Sequence, residues 1–332
     1  MIAGTVLPAL EKALEHRTAF FDERHESALR LFNGFREGNP DLVIDLYAAT
    51  LVLHNYAEPP AQGRWLVEQA AQFLQKELDW LRAAVVKTRH AQSQAERRGG
   101  LLFGQNPDRK IREHGVWYSI DLTMNQDNSF YLDTRNLRKW LIDNTQGKTV
   151  LNTFAYTGSL GVAAMAGGSS RVVQHDLNRQ FLNLAKTSYT LNGFPVNKQD
   201  FITTDFFTLV SRLKRANERF DFVILDPPFF SITSKGKVDL VNESARLINK
   251  VRPLVNDGGF LIAINNALYL SGADYVQTLT ELCRDGYLKI KELIPVPEDF
   301  IGYDSSHPPS ADPTRFNHST KIAILEVKRK ST

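Results

Sequence analysis

From about residue 125 onward, uninterrupted apolar runs alternate with stretches of helical periodicity, and nothing else in the sequence limits the fold as much. Runs such as D-F-V-I-L (221–225) and G-F-L-I-A-I (259–264) leave no polar position for a solvated sheet face. Strands look like this when helices cover both faces of a parallel sheet. The periodicity predicts helices over 132–144, 159–166, 178–191, 205–215 and 238–252. Between them it predicts strands over 149–153, 171–175, 200–203, 221–225 and 259–264. The expected architecture is α/β, a Rossmann-like doubly wound sheet whose ligand sits at the carboxyl ends of the strands, near the switch point.

The first third of the chain reads differently. About 30 polar, helical residues precede A-L-R-L-F-N-G-F and L-V-I-D-L-Y-A-A-T-L-V-L-H-N-Y, which alternate as a small antiparallel unit. Residues 64–87 carry Leu66, Ala70, Phe73, Leu74, Leu78, Leu81 and Val85 at helical spacing, 88–112 resembles an exposed loop, and 116–122 returns to a strand pattern. The expected division is a smaller N-terminal α+β domain over 1–122 and a larger domain over 123–332. From Arg82 to Arg112 there are eight basic residues against two acidic ones, a patch suited to phosphate although a solvated face is the plain reading.

Composition excludes several classes. No apolar run approaches the ~18 residues of a membrane span, and residues 1–10 lack a basic leader, so neither membrane nor secretory signal is expected. A single cysteine, Cys283, rules out a disulfide framework or a multi-cysteine metal site and points to a cytoplasmic protein. No histidines are spaced as metal ligands, so no metal is expected; a homo-oligomer is compatible with the sequence.

The candidate site lies at the strand ends. V-L-N-T-F-A-Y-T-G-S-L-G (150–161) passes from strand through a turn to helix, with Gly158 where a nucleotide-binding turn would carry a fuller G-x-G-x-x-G. Asp176, 18 positions after Gly158, ends the second strand, where a carboxylate can accept from both hydroxyls of a ribose or cap the next helix. Asp205 in T-T-D-F-F can accept from an adenine amino group with Phe206 nearby, or cap a helix. D-P-P-F-F (226–230) is the most informative stretch: two prolines stiffen the turn and leave carbonyls free as acceptors, and Phe229 can stack on a flat base.

This succession resembles a class I S-adenosylmethionine-dependent methyltransferase. More narrowly, S-F-Y-L-D-T-R-N-L-R, L-N-T-F-A-Y-T-G-S, L-D-P-P-F-F-S, I-N-N and E-H-G-V-W-Y-S-I-D-L resemble the large-subunit ribosomal RNA methyltransferases of the K and I types, over 113–328 and more weakly over 28–56. The resemblance implies a seven-stranded methyltransferase sheet, S-adenosylmethionine as cofactor and RNA, ribosomal RNA in particular, as partner. It also implies roles. Tyr131, Asp133 and Arg135, with Phe130, flank the methionine end, and Phe154, Tyr156 and Gly158, with Asn152 and Thr157, form its floor. Asp176 with Leu177 takes the ribose, Asp205 with Phe206 the adenine, and Asp226 the region near the amino group and the incoming base. The I type opens with a PUA module, which residues 1–27 are too short to hold.

The acceptor atom follows from chemistry as well as from resemblance. Carbon-5 of cytosine needs a cysteine thiolate added to the ring first. The I-type enzymes carry that cysteine after the fifth strand, where this sequence has Ile264-Asn265-Asn266, and Cys283 sits in a helical pattern suited to packing. A nitrogen acceptor, guanine N7 or an exocyclic amine, is therefore expected, with Asp226, Pro227, Phe229 and Asn265 as catalytic residues. Cytosine-C5 methylation, an NAD-dependent oxidoreductase and a non-catalytic RNA-binding protein are the alternatives. The long connection from Glu298 to Ser319, with Tyr303, His307, Arg315, Phe316 and His318, is read as a segment able to close over a substrate.

Overall fold

The computed structural model describes residues 6–302 and 311–329. The chain divides into two compact units, Met1–Asp133 with Pro297–Pro308, and Thr134–Val296 with Pro309–Thr332. The boundary expected at 122/123 falls instead at Asp133, and the chain enters the first unit a second time after Val296.

In the first unit, helix α1 (Leu7–Arg17) precedes a five-stranded sheet of β1 (Ala28–Phe32), β2 (Leu42–Tyr47), β3 (Thr50–Asn55), β4 (Ala83–Thr88) and β5 (Gly100–Phe103), in that order. The sheet is antiparallel except for β3 and β4, which run parallel and are joined by α2 (Arg64–Glu77). The helix expected over 64–87 thus stops ten residues early. A-A-V-V-K-T is an apolar, β-branched run that pairs residue for residue with β3, and that pairing overrides the helical spacing of its side chains. The segment 88–112 is likewise not a loop: it holds α3 (Gln94–Arg98), β5 and β6 (Lys110–Glu113), and β6 pairs with β7 (Val116–Ser119) as a separate ribbon. The helical reading of the first 30 residues shrinks to α1 and one short turn.

Buried charge organises this unit. Arg17 pairs with Glu37 and donates to the Asp299 carbonyl, while the backbone N–H of Arg30 donates to the Asp299 carboxylate at 2.9 Å. Arg30 also pairs with Asp45, whose other oxygen lies 3.2 Å from His54 Nε2.

The second unit alternates helices and strands as expected. In chain order they are α4 (Arg135–Asn144), β8 (Thr149–Thr153), α5 (Ser159–Ala166), β9 (Arg171–Asp176), α6 (Arg179–Leu191), β10 (Phe201–Thr203), α7 (Phe206–Arg215) and β11 (Phe220–Leu225). Then follow β12 (Phe230–Thr233), β13 (Gly236–Asp239), α8 (Ser244–Val251), β14 (Val255–Asn265), α9 (Gly272–Leu282), β15 (Leu288–Ile294) and β16 (Lys321–Val327). Seven of these strands form one sheet in the order β10-β9-β8-β11-β14-β16-β15, parallel except for β16.

Alternate residues of each strand enter different cores. Leu151, Val173, Val223, Leu261 and Leu325 pack with α7, α8 and α9, whereas Val150, Val172, Ile224, Ile262 and Ile324 pack with α4 and α5. Both faces are covered, which explains the unbroken apolar runs. The helix expected over 238–252 is shorter, because 236–239 pairs with β12 as a hairpin. Asp239 then accepts from the Asn242 N–H at 3.1 Å, turning the chain before α8 begins.

Candidate active site

Strand order reverses between β8 and β11, so a crevice opens beyond the carboxyl ends of these two strands. The turn after β8 is built under strain. Phe154 (φ 53°), Tyr156 (φ 52°) and Gly158 (φ 79°) all adopt the left-handed conformation, which is unfavourable for the two residues with a Cβ.

Three groups hold it there. The Asp176 carboxylate accepts from Tyr156 N–H at 2.9 Å through one oxygen and from Asn178 N–H at 2.8 Å through the other. Gln174 accepts from Asn152 Nδ2 at 2.8 Å and donates to the Gly158 carbonyl at 3.1 Å. The Ala155 N–H donates to the His175 carbonyl at 2.7 Å. A Cβ on Gly158 would stand 2.5 Å from the Ala185 Cβ, and one on Gly161 only 2.1 Å from Gln174 Nε2. Sequence reasoning missed Gly161 and Gln174; the signal was a glutamine placed after two valines inside the strand R-V-V-Q-H and a second glycine one helical turn after the first.

Burial raises the Asp176 carboxyl above its ordinary value, against the backbone donors that lower it. A carboxylate has about four acceptor positions, so Asp176 keeps acceptor capacity for ligand hydroxyls beside its backbone donors. Leu177 beside it is exposed, and Thr157 in the turn is buried. The same strand, β9, supplies a neutral support: burial pushes His175 down to about 4, and its Nε2 lies 2.9 Å from the Thr204 carbonyl.

Asp205 caps α7 by accepting from Thr208 N–H at 3.1 Å, and its second oxygen accepts from the Thr233 hydroxyl at 2.7 Å. Phe206 is buried with its ring 4.6 Å from that of Phe154, so the pair forms an aromatic floor below the turn. At the end of β11, Asp226 is half-buried, Pro227 is buried, and Pro228, Phe229 and Phe230 are exposed.

Two expectations change here. Asn265 is wholly buried: its Nδ2 donates to the Leu240 carbonyl at 3.1 Å and its Oδ1 accepts from Ala267 N–H at 3.0 Å. It shapes the loop after β14. Lys321, its neighbour in register, is also buried and donates to the Ala267 carbonyl at 3.0 Å, a support that sequence did not indicate. Phe316, read as part of a closing segment, belongs to the core and lies 6.0 Å from Tyr275; Tyr303 and His307 lie outside the described residues. His318 Nδ1 accepts from Thr320 N–H at 3.0 Å.

Cys283 follows α9, is half-buried, and has its thiol pKa raised by burial. Register puts Leu288 opposite Val327, and Asn265 opposite Lys321. Cys283, just before Leu288, therefore lies toward the opposite end of the sheet from the crevice.

The remaining candidates are divided between the units. Arg135 opens α4 in the second. In the first, Phe130 is buried with its ring 5.1 Å from that of Tyr118, Tyr131 donates from its hydroxyl to Asp127 at 3.3 Å, and Asp133 lies in a short turn. The basic segment is partly consumed by the fold. Lys87 is buried, donates to the carbonyls of Arg98, Asn125 and Asp127, and is pushed down to about 8 by burial; Arg82 pairs with Asp108. Arg98, Arg109 and Lys110 are exposed, and Lys110 and Arg112 both lie over the Trp117 ring of the β6–β7 ribbon, at 4.2 and 5.5 Å. Among the described residues no cluster of three or more His, Cys, Asp or Glu side chains could hold a metal, and no helix is long and apolar enough to cross a membrane.

A doubly wound sheet with an antiparallel strand inserted near one edge, a strained turn after its first strand and a half-buried carboxylate after its second is the arrangement of a nucleoside-binding α/β protein. The sequence matches the S-adenosylmethionine-dependent methyltransferase family over residues 30–307, and the chain belongs to that family. It is 33% identical to the "Ribosomal RNA large subunit methyltransferase I" of Aeromonas salmonicida (strain A449) over 227 residues, 68% of this chain and 57% of that protein. It is 27% identical to the enzyme of the same name from Photobacterium profundum over 281 residues, 84% of this chain and 69% of that one. The chain thus spans a little over half the length of the Aeromonas relative. The fold is shared with SMU.776, crystallised as a complex with SAH, at a TM-score of 0.85 and 21% identity, covering 98% of this chain and 83% of that one.

Proposed function

We propose that the chain transfers the methyl group of S-adenosylmethionine to a nitrogen of a nucleobase in RNA, with ribosomal RNA the first candidate. The observation that carries this reading is the end of β11, where a proline-fixed turn presents Asp226 and the exposed ring of Phe229 beside the crevice.

The residues fit the cofactor. Asp176 has acceptor capacity for two ribose hydroxyls, and the half-buried Phe154 ring, backed by the buried Phe206, offers an apolar surface for the adenine. When bound, the cofactor supplies an electrophilic methyl on a sulfonium. The rest of the reaction is alignment, and alignment is what these residues provide. Phe229 stacks on the acceptor base, and the Asp226 carboxylate and Pro227 carbonyl accept from its amino group. Guanine N7 needs only orientation, since its lone pair lies in the ring plane; an exocyclic amine would in addition pass a proton to an acceptor such as Asp226.

Cytosine C5 is disfavoured because it requires a thiolate at the base. Cys283 is remote from the crevice, and burial keeps its thiol protonated. The names of the two relatives support RNA as substrate, as do the exposed cations around Trp117.

The test is methyl transfer from radiolabelled S-adenosylmethionine to total RNA from a strain lacking the gene and from its parent. Label should enter the first RNA and not the second. Label in neither would remove RNA as the substrate.

A further inference from the structure

The D-P-P-F-F stretch does not end at the acceptor turn; it runs directly into the β12–β13 hairpin, whose two faces differ in kind. Residues alternate across a two-stranded ribbon, so Phe230 and Ile232 share one face and Ser231 and Thr233 the other. The outer face exposes Phe230 at 51% and Ile232 at 70%. Lys237 stands opposite Ile232 in register, with its ammonium 5.5 Å from the Phe230 ring and paired with the Asp239 carboxylate at 2.8 Å.

The inner face is anchored. The Thr233 hydroxyl donates to the Asp205 carboxylate at 2.7 Å, and a Cβ on Gly236 would meet the Phe207 ring at 2.5 Å. The hairpin is thereby fixed to the start of α7, on the carboxylate assigned above to the adenine.

A ribbon that leaves an aromatic ring and a branched aliphatic chain on one solvent-facing surface, beside a lysine paired with Asp239, gains little for folding from the two apolar side chains. It fits a single-stranded nucleic acid, whose bases stack on apolar surface while a cation meets the backbone. The position selects the occupant. The hairpin begins four residues after Asp226, so the bases that reach it are those adjacent in the strand to the one held by Phe229.

We propose that the outer face of the β12–β13 hairpin, Phe230, Ile232 and Lys237, binds the RNA nucleotides flanking the methyl acceptor, and that Thr233 positions the hairpin through Asp205. This rests on RNA being the substrate.

The test uses the full chain. Fluorescence anisotropy measures binding of a labelled single-stranded oligoribonucleotide, and methyl transfer to RNA from the deletion strain gives KM and kcat. Phe230→Ala/Ile232→Ala should raise the oligonucleotide Kd and the RNA KM at least tenfold, while the S-adenosylmethionine Kd stays within twofold and the melting temperature does not fall. Thr233→Val should raise the RNA KM several-fold and Thr233→Ser should restore it, which a packing role for the methyl group would not do. Wild-type binding and methylation with an unchanged KM in the double variant would overturn the hairpin's role and leave the RNA reading standing. If the wild type neither binds nor methylates RNA, both fall. A double variant that changes only the oligomeric state would instead make this face an interface between copies of the chain, and would also overturn the proposal.

Discussion

Two loops at the carboxyl ends of adjacent strands in the second unit solve opposite problems. The turn after β8 is closely packed and held by Asp176 and Gln174 in backbone conformations that Phe154 and Tyr156 would not choose alone. The hairpin after β11 carries exposed apolar side chains on its outer face and is fixed to the start of α7 by a threonine and a glycine. A small ligand of constant shape rewards a site whose geometry is set before it arrives. A macromolecular substrate is met instead by exposed surface that becomes buried only in the complex. On the function proposed here, the strained region of the fold serves the cofactor and the exposed one serves the acceptor.

The comparison breaks most severely if the turn tolerates bulk. Gly158→Val places a branched side chain at positive φ and against Ala185, and should cost about 2–4 kcal/mol in thermal unfolding together with loss of cofactor binding. Next, Asp176→Ala should weaken S-adenosylmethionine binding by about 1–3 kcal/mol, read by calorimetry. The pH dependence has a definite sign. The ionised carboxylate is the acceptor, and burial raises its pKa, so affinity should fall on acidification at a higher pH than an ordinary aspartate would dictate. The variant should show a flatter profile.

On the acceptor side, Asp226→Ala should lower kcat about 10–100-fold while the cofactor Kd moves less than twofold, the signature of a contact made to the reacting base. A smaller effect belongs to the first unit. Replacing Arg97, Arg98, Arg109 and Arg112 together by Gln should lower RNA affinity and reduce the slope of log K against log salt by about 1 or more. An unchanged slope would make the segment a solvated face.

Much of the sheet was legible in the sequence because its strands are covered on both sides, and an unbroken apolar run has few other homes. Positions such as Gly158, Asp176 and Asp226 were legible for a related reason: a turn residue or a carboxylate at a strand end has few structural substitutes. What the periodicity missed are features fixed by pairing. A-A-V-V-K-T continues the helical spacing of α2 yet becomes β4, since β3 offers it a partner strand. The end of β13 was absorbed into a helix because no local pattern separates K-V-D-L-V from a helical start, whereas Asp239 and Asn242 form the turn that does. Asn265 illustrates a different limit. An asparagine at a strand end can meet a ligand or satisfy two backbone groups, and only packing decides between them; here it bonds to Leu240 and Ala267. Lys321 and Lys87, buried on backbone carbonyls, read in sequence as ordinary surface charges.

The smallest expected effect bears on the central claim. Cys283 is remote from the crevice, so Cys283→Ala should retain essentially full methyl transfer, with at most a small packing loss. Nucleoside mass spectrometry of RNA methylated by the wild type and by Cys283→Ala tests the claim most directly. The same base methylated on a ring or exocyclic nitrogen in both samples is the predicted result. Formation of 5-methylcytosine by the wild type, abolished in Cys283→Ala, would contradict it.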